Sequence, residues 1–226
     1  MAIKSPVQDL SEKAKRQVES RWPAIVAGVA TGVLFYAMPT SLTVGPDWLL
    51  LAAVVMLTIP TSLAHRTGRI ALNQVLAYAV LAIITGAVLS SLVLLVMRLP
   101  AHKETPVELL RAAAALWVSN ILVFASWYWR LDGGGPNERD KRGVHTDGAF
   151  LFPQMMMDPE RRREMGEDTW SPGFVDYLFL AFNTSTAFSP TDVPVLSRWA
   201  KAMMIVQSLI SLATVALLAA RAVNIL

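Results

Sequence analysis

The chain has 226 residues, of which 54% are hydrophobic and only 16% are charged, and its mean hydropathy is +0.45. Because ordinary soluble domains are about one quarter charged, this composition predicts an integral membrane protein. In a membrane protein, a net charge of +3 is explained by Lys and Arg in loops that face the cytoplasm and its anionic lipids. We therefore expect no nucleic-acid partner. The absence of cysteine excludes disulfides, thiolate metal sites and a cysteine nucleophile.

The first predicted unit is a polar leader, residues 1–21. Its five basic residues make it too polar for the apolar core of a cleavable signal peptide. Apolar residues recur in it at helical spacing, which is typical of an amphipathic helix at the membrane surface. A solvated leader is the alternative.

Residues 22–130 predict a region of four transmembrane helices. A spanning helix needs about 20 largely apolar residues, and four such segments occur here, at 22–41, 47–64, 70–97 and 107–130. Pro60 predicts a kink in the second. Pairs of small residues such as Thr31-Gly32 allow close helix contact. The aromatic side chains near the end of the fourth helix, Trp127, Tyr128 and Trp129, are interpreted as part of an interfacial belt.

A long charged loop, residues 131–172, forms the third unit. The sequence from Gly133 to Pro136 predicts that the fourth helix ends there. The segment "FLFPQMMM" at 150–157 is the apolar exception in this loop, and we expect it to pack back against the protein.

The last unit, residues 173–226, contains a short apolar segment, a polar stretch and a final long helix. The short segment, 174–188, would be about 22 Å long as a helix, against a hydrocarbon core of about 30 Å. It is therefore either a re-entrant pore helix or a short span followed by a turn. The final helix is predicted at 197–222. The fold class is thus all-α, an integral membrane helical bundle with six hydrophobic segments.

The polar stretch after the short segment holds the candidate pore site. Irregular backbone at membrane depth is tolerated where it is buried in protein or lines a watery cavity, and hydroxyl oxygens can replace an ion's water shell. The candidate pore residues are Thr184, Ser185, Thr186, Ala187, Phe188, Ser189, Pro190, Thr191 and Asp192. Asp176 and Asn183 are candidate vestibule residues. In the alternative, Ser189, Thr191 and Asp192 cap helix ends and form an ordinary turn.

The segment from "FVDYLFLAFNTSTAFSPTDVP" through "LSRWAKAMMIVQSLISLATVALLAARAV" resembles the pore helix, filter and inner helix of the tetrameric potassium-channel superfamily. Without a gap, residues 184–192 fall on that family's T-A-T-T-V-G-Y-G-D, and Asp192 coincides with its carboxylate. The resemblance covers about 50 residues and implies a homotetrameric cation pore. With "LWVSNILVFASWYWRLDGGGP" and "FLFPQ" included, the chain also resembles a group of bacterial polytopic membrane proteins that brings no function with it.

The glycines of the potassium filter are replaced in this chain. Ser189 and Thr191 stand at those positions, and a β-branched residue such as Thr191 resists positive φ. Pro190 stands at the filter tyrosine and fixes its own φ. We therefore expect no four-site carbonyl filter, and weak selectivity among monovalent cations.

The distribution of basic residues and the channel resemblance predict opposite orientations. Four spans before the long loop place 14 of the 20 basic residues on one side, which the positive-inside rule makes cytoplasmic. A potassium-channel pore helix instead enters from the outside. We favour a cytoplasmic N-terminus in the inner (plasma) membrane, with six crossings as the simplest count.

The remaining polar residues give little sign of an enzyme site. The three histidines are scattered over different loops, so we expect no catalytic residues, no metal and no cofactor. Asn73, Asn120 and Gln207 lie within spans and are interpreted as hydrogen-bond partners between helices. Asp176 has a second interpretation, a first-turn acid that favours the helix dipole.

Two functions from different classes are consistent with the sequence. The leading hypothesis is a small ion channel or channel-like pore that conducts cations, with the lipid bilayer, monovalent cations and other copies of the chain as its partners. The alternative is a non-conducting membrane scaffold, in which the 131–172 loop binds a partner and "FLFPQ" is the docking strip.

Overall fold

The structure is a computed structural model that describes residues 19–98, 105–142, 145, 148–167, 170–186 and 193–223, the last three without their side chains. This part of the chain is helical and contains no strand longer than a single bridge. The helices are α1 (Trp22–Tyr36), α2 (Trp48–Arg66), α3 (Ile70–Arg98), α4 (Pro106–Leu131), α5 (Pro136–Arg142), α6 (Pro159–Glu164), α7 (Phe174–Thr186) and α8 (Arg198–Val223).

Four of these helices, α2, α3, α4 and α8, are long and apolar enough to cross a membrane. They confirm the all-α class and the bounds predicted for the second, third, fourth and last segments to within about two residues. α2 continues through Pro60 without ending.

α1 is shorter than the sequence pattern predicts. It ends at Tyr36 after 15 residues, whereas the apolar run suggests a helix to about residue 41. The difference has a local cause, because Pro39 cannot continue the helix and has extended backbone. A short 3-10 turn, Thr40–Leu42, follows and buries Leu42 completely.

α4 is the central helix of the bundle and packs against α1, α3, α7 and α8. Its start is fixed by a capping box, in which the Thr105 side chain accepts from the Glu108 amide and the Glu108 carboxylate accepts from the Thr105 amide. Its end is fixed by Gly135 at φ 88°, where a Cβ would lie 2.6 Å from the Arg130 carbonyl oxygen. The predicted helix end before Pro136 is confirmed.

Small residues let α1 and α2 approach closely, as the sequence predicts. A Cβ on Gly32 would lie 2.9 Å from Cδ1 and 3.0 Å from Cα of Leu51. In the same half of the bundle, Ala112 and Ala113 of α4 are buried in a mainly aliphatic core with residues of α1, α2 and α3.

The 131–172 loop folds back onto the bundle through two phenylalanines, which confirms the prediction for "FLFPQMMM" in part, since Met156 is exposed. Phe150 and Phe152 are fully buried beside Tyr177 of α7. Phe150 also forms an antiparallel bridge with Val195, just before α8. The Leu151 amide donates to the Pro194 carbonyl at 2.9 Å, and the Leu196 amide donates to the Ala149 carbonyl at 2.8 Å. Because both phenylalanines lie in the protein's own core, they are not free to form a docking strip.

Candidate functional site

α7 and α8 begin at the same end of the bundle, which we call the loop end because the 131–172 loop covers it. The ring of Phe150 contacts both Tyr177, one turn into α7, and Trp199, at the start of α8. Deeper in the bundle, the C-terminal half of α7 contacts the middle of α8 around Gln207. The two helices therefore run side by side in the same direction.

Gln207 joins α7, α8 and α4 in the interior. It is fully buried, and its Nε2 donates to the Ala181 carbonyl at 2.7 Å and to the Ser185 hydroxyl at 2.8 Å. Its Oε1 accepts from the Tyr128 hydroxyl. A buried amide with three partners on two neighbouring helices fixes the depth and rotation of α7, since any slide would leave polar groups unpaired.

Asn120 extends the same network along α4. Its Nδ2 donates to the Gln207 carbonyl at 3.1 Å and to the Ser211 hydroxyl at 2.8 Å. The sequence-based interpretation of Asn120 and Gln207 as interhelical partners is confirmed. Asn73 has the same role at the loop end, where it donates to the Thr61 carbonyl of α2 at 2.8 Å.

The candidate pore residues that the structure describes have different environments. Thr184 and Ser185 are buried within the subunit. The Thr184 hydroxyl donates to the Leu180 carbonyl, and Ser185 receives the Gln207 amide. Thr186 is exposed at the end of α7, and Asn183 is half-buried one turn before it. The other six candidates, Ala187, Phe188, Ser189, Pro190, Thr191 and Asp192, lie outside the described residues.

Asp176 lies in the first turn of α7, where its Oδ2 accepts from the Gly173 amide at 2.7 Å. An acidic side chain in this position satisfies a free amide and favours the helix dipole. Its role as a vestibule residue stays a prediction.

The N-terminal half of α7 is held by Asp132, a carboxylate that is completely buried just after α4. Its Oδ2 accepts from the Tyr177 hydroxyl at 2.7 Å, and its Oδ1 accepts from the Ala149 amide. Nε2 of the buried His145 lies 3.4 Å from the same Oδ2. One carboxylate thus ties together α4, the loop and α7.

Gly148 leaves the space that this contact requires. A Cβ at this position would lie 2.7 Å from Nε2 of His145 and 2.9 Å from Oδ1 of Asp132. Any larger residue would push the loop away from the carboxylate.

Buried arginines close the loop end of α4. Arg139, only 4% exposed, donates to the carbonyls of Trp129 and Asp132 at 2.8 and 2.7 Å, so it caps the C-terminus of α4. It also pairs with Glu19 at 2.9 Å. Burial raises the pKa of Glu19 above its ordinary value, and the guanidinium of Arg139 opposes that rise.

The prediction of an interfacial belt is wrong for Tyr128 and Trp129. Both are fully buried, Tyr128 against Gln207 and Trp129 as a donor to the Glu19 carboxylate. Aromatic side chains with one polar atom suit either environment, because both supply an apolar contact and a hydrogen-bond partner. The partners, at sequence separations of 79 and 110 residues, are not visible in a local pattern.

Asp132, His145, Gly148 and Tyr177 are the site residues that sequence reasoning missed. A carboxylate directly after a long apolar helix was the available signal for Asp132. No group of three His, Asp or Glu side chains in the described part of the chain is arranged to hold a metal ion. The arrangement orients a helix.

Comparisons with known proteins add no relative to these observations. No family model matches the chain, and neither the curated proteins nor the solved structures contain a match.

Proposed function

We propose that the protein is a channel-like membrane pore in which α7 is a re-entrant pore helix and α8 is the inner helix. The observation that carries the proposal is the shared direction of α7 and α8, both of which begin at the loop end. A short span in a hairpin would place their first residues at opposite ends of the bundle.

The length of α7 supports the same interpretation. Its 13 residues extend about 20 Å, which is short of a hydrocarbon core of about 30 Å. The chain then leads from Thr186 back to the loop end, where Val195 pairs with Phe150. Polar backbone between these points has to be buried in protein or line water. Residues 187–192 are the proposed lining.

Within this proposal, the hydroxyls near the end of α7 have separate tasks. Ser185 anchors the pore helix to Gln207, so it is not available to an ion in the same position. Thr186, which is exposed, and Asn183 belong to the entrance of the lining together with Phe188 and Asp192. We propose a homotetrameric cation pore, as the resemblance to the potassium-channel superfamily implies. We expect its selectivity among monovalent cations to be weak, because Ser189 and Thr191 replace the filter glycines.

The basic residues favour a cytoplasmic loop end. Arg198 and Lys201 begin α8 beside the loop and add to the basic residues of the loop end. Arg98 and Arg111 are then the described basic side chains toward the other end. The positive-inside rule therefore supports a cytoplasmic N-terminus. With α7 re-entrant, α8 crosses from the loop side to the opposite side of the membrane.

Ion flux through reconstituted protein tests the proposal. Proteoliposomes containing the full chain are expected to release monovalent cations, and Phe188→Ala and Asp192→Asn are expected to change the rate or selectivity. Asp158→Asn is the matched control, because Asp158 is exposed in the loop and its side chain makes no capping hydrogen bond.

The oligomeric state of the same preparation also tests the pore proposal. A tetrameric particle with cation flux supports it. Silent liposomes together with a monomeric particle would contradict it and favour the non-conducting scaffold, for which a partner crosslinked to the 131–172 loop would be the positive evidence. With Phe150 and Phe152 buried, such a partner would have to use other residues of that loop.

A further inference from the structure

A cavity of about 330 Å³ lies between α1, α2, α3 and α4 at the loop end. Pockets that hold small ligands in proteins range from about 300 to 1,000 Å³. Its interior is lined mainly by small and aliphatic side chains, among them Ala27, Gly28, Ala77, Leu81 and Ile84, with several Thr and Ser side chains between them. The small residues of α1 and α3 create the space.

The mouth of this cavity is basic. Arg21, Arg66 and Arg130 line it, together with His65 and Asn73. They come from four places in the chain, just before α1, the end of α2, the start of α3 and the end of α4. Three guanidinium groups therefore converge on one opening beside the membrane surface.

The positive charge at the mouth is only partly compensated. Arg21 is compensated, because it pairs with Asp140 and its Nη1 lies 3.6 Å from Oε2 of Glu19. Arg130 stacks on Trp129 at 4.9 Å, and its hydrogen bond to Asn73 is long, at 3.5 Å. Among the described residues, no carboxylate lies within ion-pair distance of Arg130 or Arg66.

These two parts of the cavity fit one kind of ligand. A half-buried guanidinium without a counter-ion is costly, so an anion at the mouth would stabilise it. The mainly apolar interior suits a hydrocarbon chain. Basic pockets between transmembrane helices on the cytoplasmic side are suited to anionic lipid headgroups.

We propose that the cavity binds one anionic phospholipid, with its phosphate between Arg66 and Arg130 and part of an acyl chain between α1 and α3. This binding does not depend on conduction by the pore, since the site lies on the other side of α4 from α7 and α8.

Native mass spectrometry of the purified full chain in detergent tests the proposal. We expect one phosphatidylglycerol to bind in preference to phosphatidylcholine with the same acyl chains. Arg66→Gln is expected to weaken binding about fivefold, the effect of one arginine near a lipid phosphate. Arg69→Gln is the control, because Arg69 is exposed three residues away and does not line the cavity.

A second pair of variants tests the interior. Ala77→Phe fills the cavity and is expected to abolish the phosphatidylglycerol adduct, whereas Ala71→Phe, at an exposed position of the same helix, should leave it intact. Arg66 is exposed, so Arg66→Gln remains informative if Ala77→Phe fails to fold.

Three results would overturn the proposal. The first is equal binding of the two lipids, and the second is an Arg66→Gln variant that binds phosphatidylglycerol as the unmodified chain does. The third is thermal stabilisation by inorganic phosphate as strong as that by phosphatidylglycerol, which would assign the mouth to a free anion.

Discussion

The two sides of α4 are packed in different ways. On the side of α7, α8 and the loop, aromatic rings surround a buried polar network centred on Gln207 and Asp132. On the side of α1, α2 and α3, the buried core is almost entirely aliphatic at the end far from the loop, and a cavity opens at the loop end. α4 thus separates a half whose helix positions are fixed by buried hydrogen bonds from a half with fewer such constraints, which we call the permissive half.

The difference indicates which helices need buried hydrogen bonds to fix their position. Lipid is as apolar as leucine, so aliphatic contacts give little preference for one helix position over another. At 13 residues, α7 is too short for its length to fix its depth in a membrane. Hydrogen bonds to buried partners supply that information for α7. The α1–α3 half contains two long apolar helices, α2 and α3, and the cavity.

The largest effect is expected at Asp132, because its loss breaks the contact between α4, the loop and α7. In Asp132→Ala, the buried Tyr177 hydroxyl and the Ala149 amide both lose their acceptor. We expect the free energy of unfolding in detergent to fall by about 3 kcal/mol. Asp158→Ala, at an exposed loop position, should change it by less than about 0.5 kcal/mol. Similar values for the two variants would contradict the anchoring role of Asp132.

A matched pair of glycines compares the two sides directly. Gly148→Ala forces a methyl group against His145 and Asp132 and should cost about 2 kcal/mol. Gly86→Ala, in α3, meets no atom within 4 Å and should be neutral or slightly stabilising, because alanine favours a helix. Thermal unfolding of both variants measures the difference. A Gly148→Ala protein as stable as Gly86→Ala would show that the loop can move aside.

Gln207→Leu removes the side-chain hydrogen bonds by which Gln207 joins α8 to α7 and α4. Three buried hydrogen bonds are lost, and at about 0.6 kcal/mol each in membrane proteins the expected cost is about 2 kcal/mol. Gln74→Leu is the same change in half-buried surroundings on α3 and should have little effect. The free energies of unfolding of the two variants in detergent give the comparison. Equal values would contradict the role of Gln207 in positioning α7.

The smallest effect is expected where a single hydroxyl acts alone. Thr105→Ala removes the capping box of α4 and should cost about 1 kcal/mol. Thr58→Ala, beside the cavity, removes only a bond to the Val54 carbonyl of its own helix and should cost less than about 0.5 kcal/mol. A larger loss for Thr58→Ala than for Thr105→Ala would mean that the α1–α3 half is less permissive than we propose.

Much of the fold could be predicted because apolar length and helix-ending residues are local signals. The starts and ends of α2, α3, α4 and α8 follow from them, as does the stop at Gly133 to Pro136. The early end of α1 also has a local signal, Pro39. The apolar residues on both sides of Pro39 suggest a longer helix and obscured this signal.

The partners of the buried polar groups could not be predicted. Tyr177 and Asp132 are 45 residues apart, and Gln207 meets Ser185 across the segment that holds the candidate pore residues. Such pairs depend on which helix faces share an interior, which hydropathy does not specify. Tyr128 and Trp129 are examples, because an aromatic side chain with one polar atom is equally suited to the membrane interface and to the buried positions that these two residues occupy.

The central claim is that α7 enters and leaves the membrane on the loop side, and labelling of single cysteines from each face tests it most directly. The chain has no native cysteine, and Met156 in the loop, Leu196 before α8 and Val44 between α1 and α2 are all exposed. We predict that cysteines at 156 and 196 react from one face and a cysteine at 44 from the other. Labelling of 196 from the same face as 44 would make α7 a full span and contradict the account.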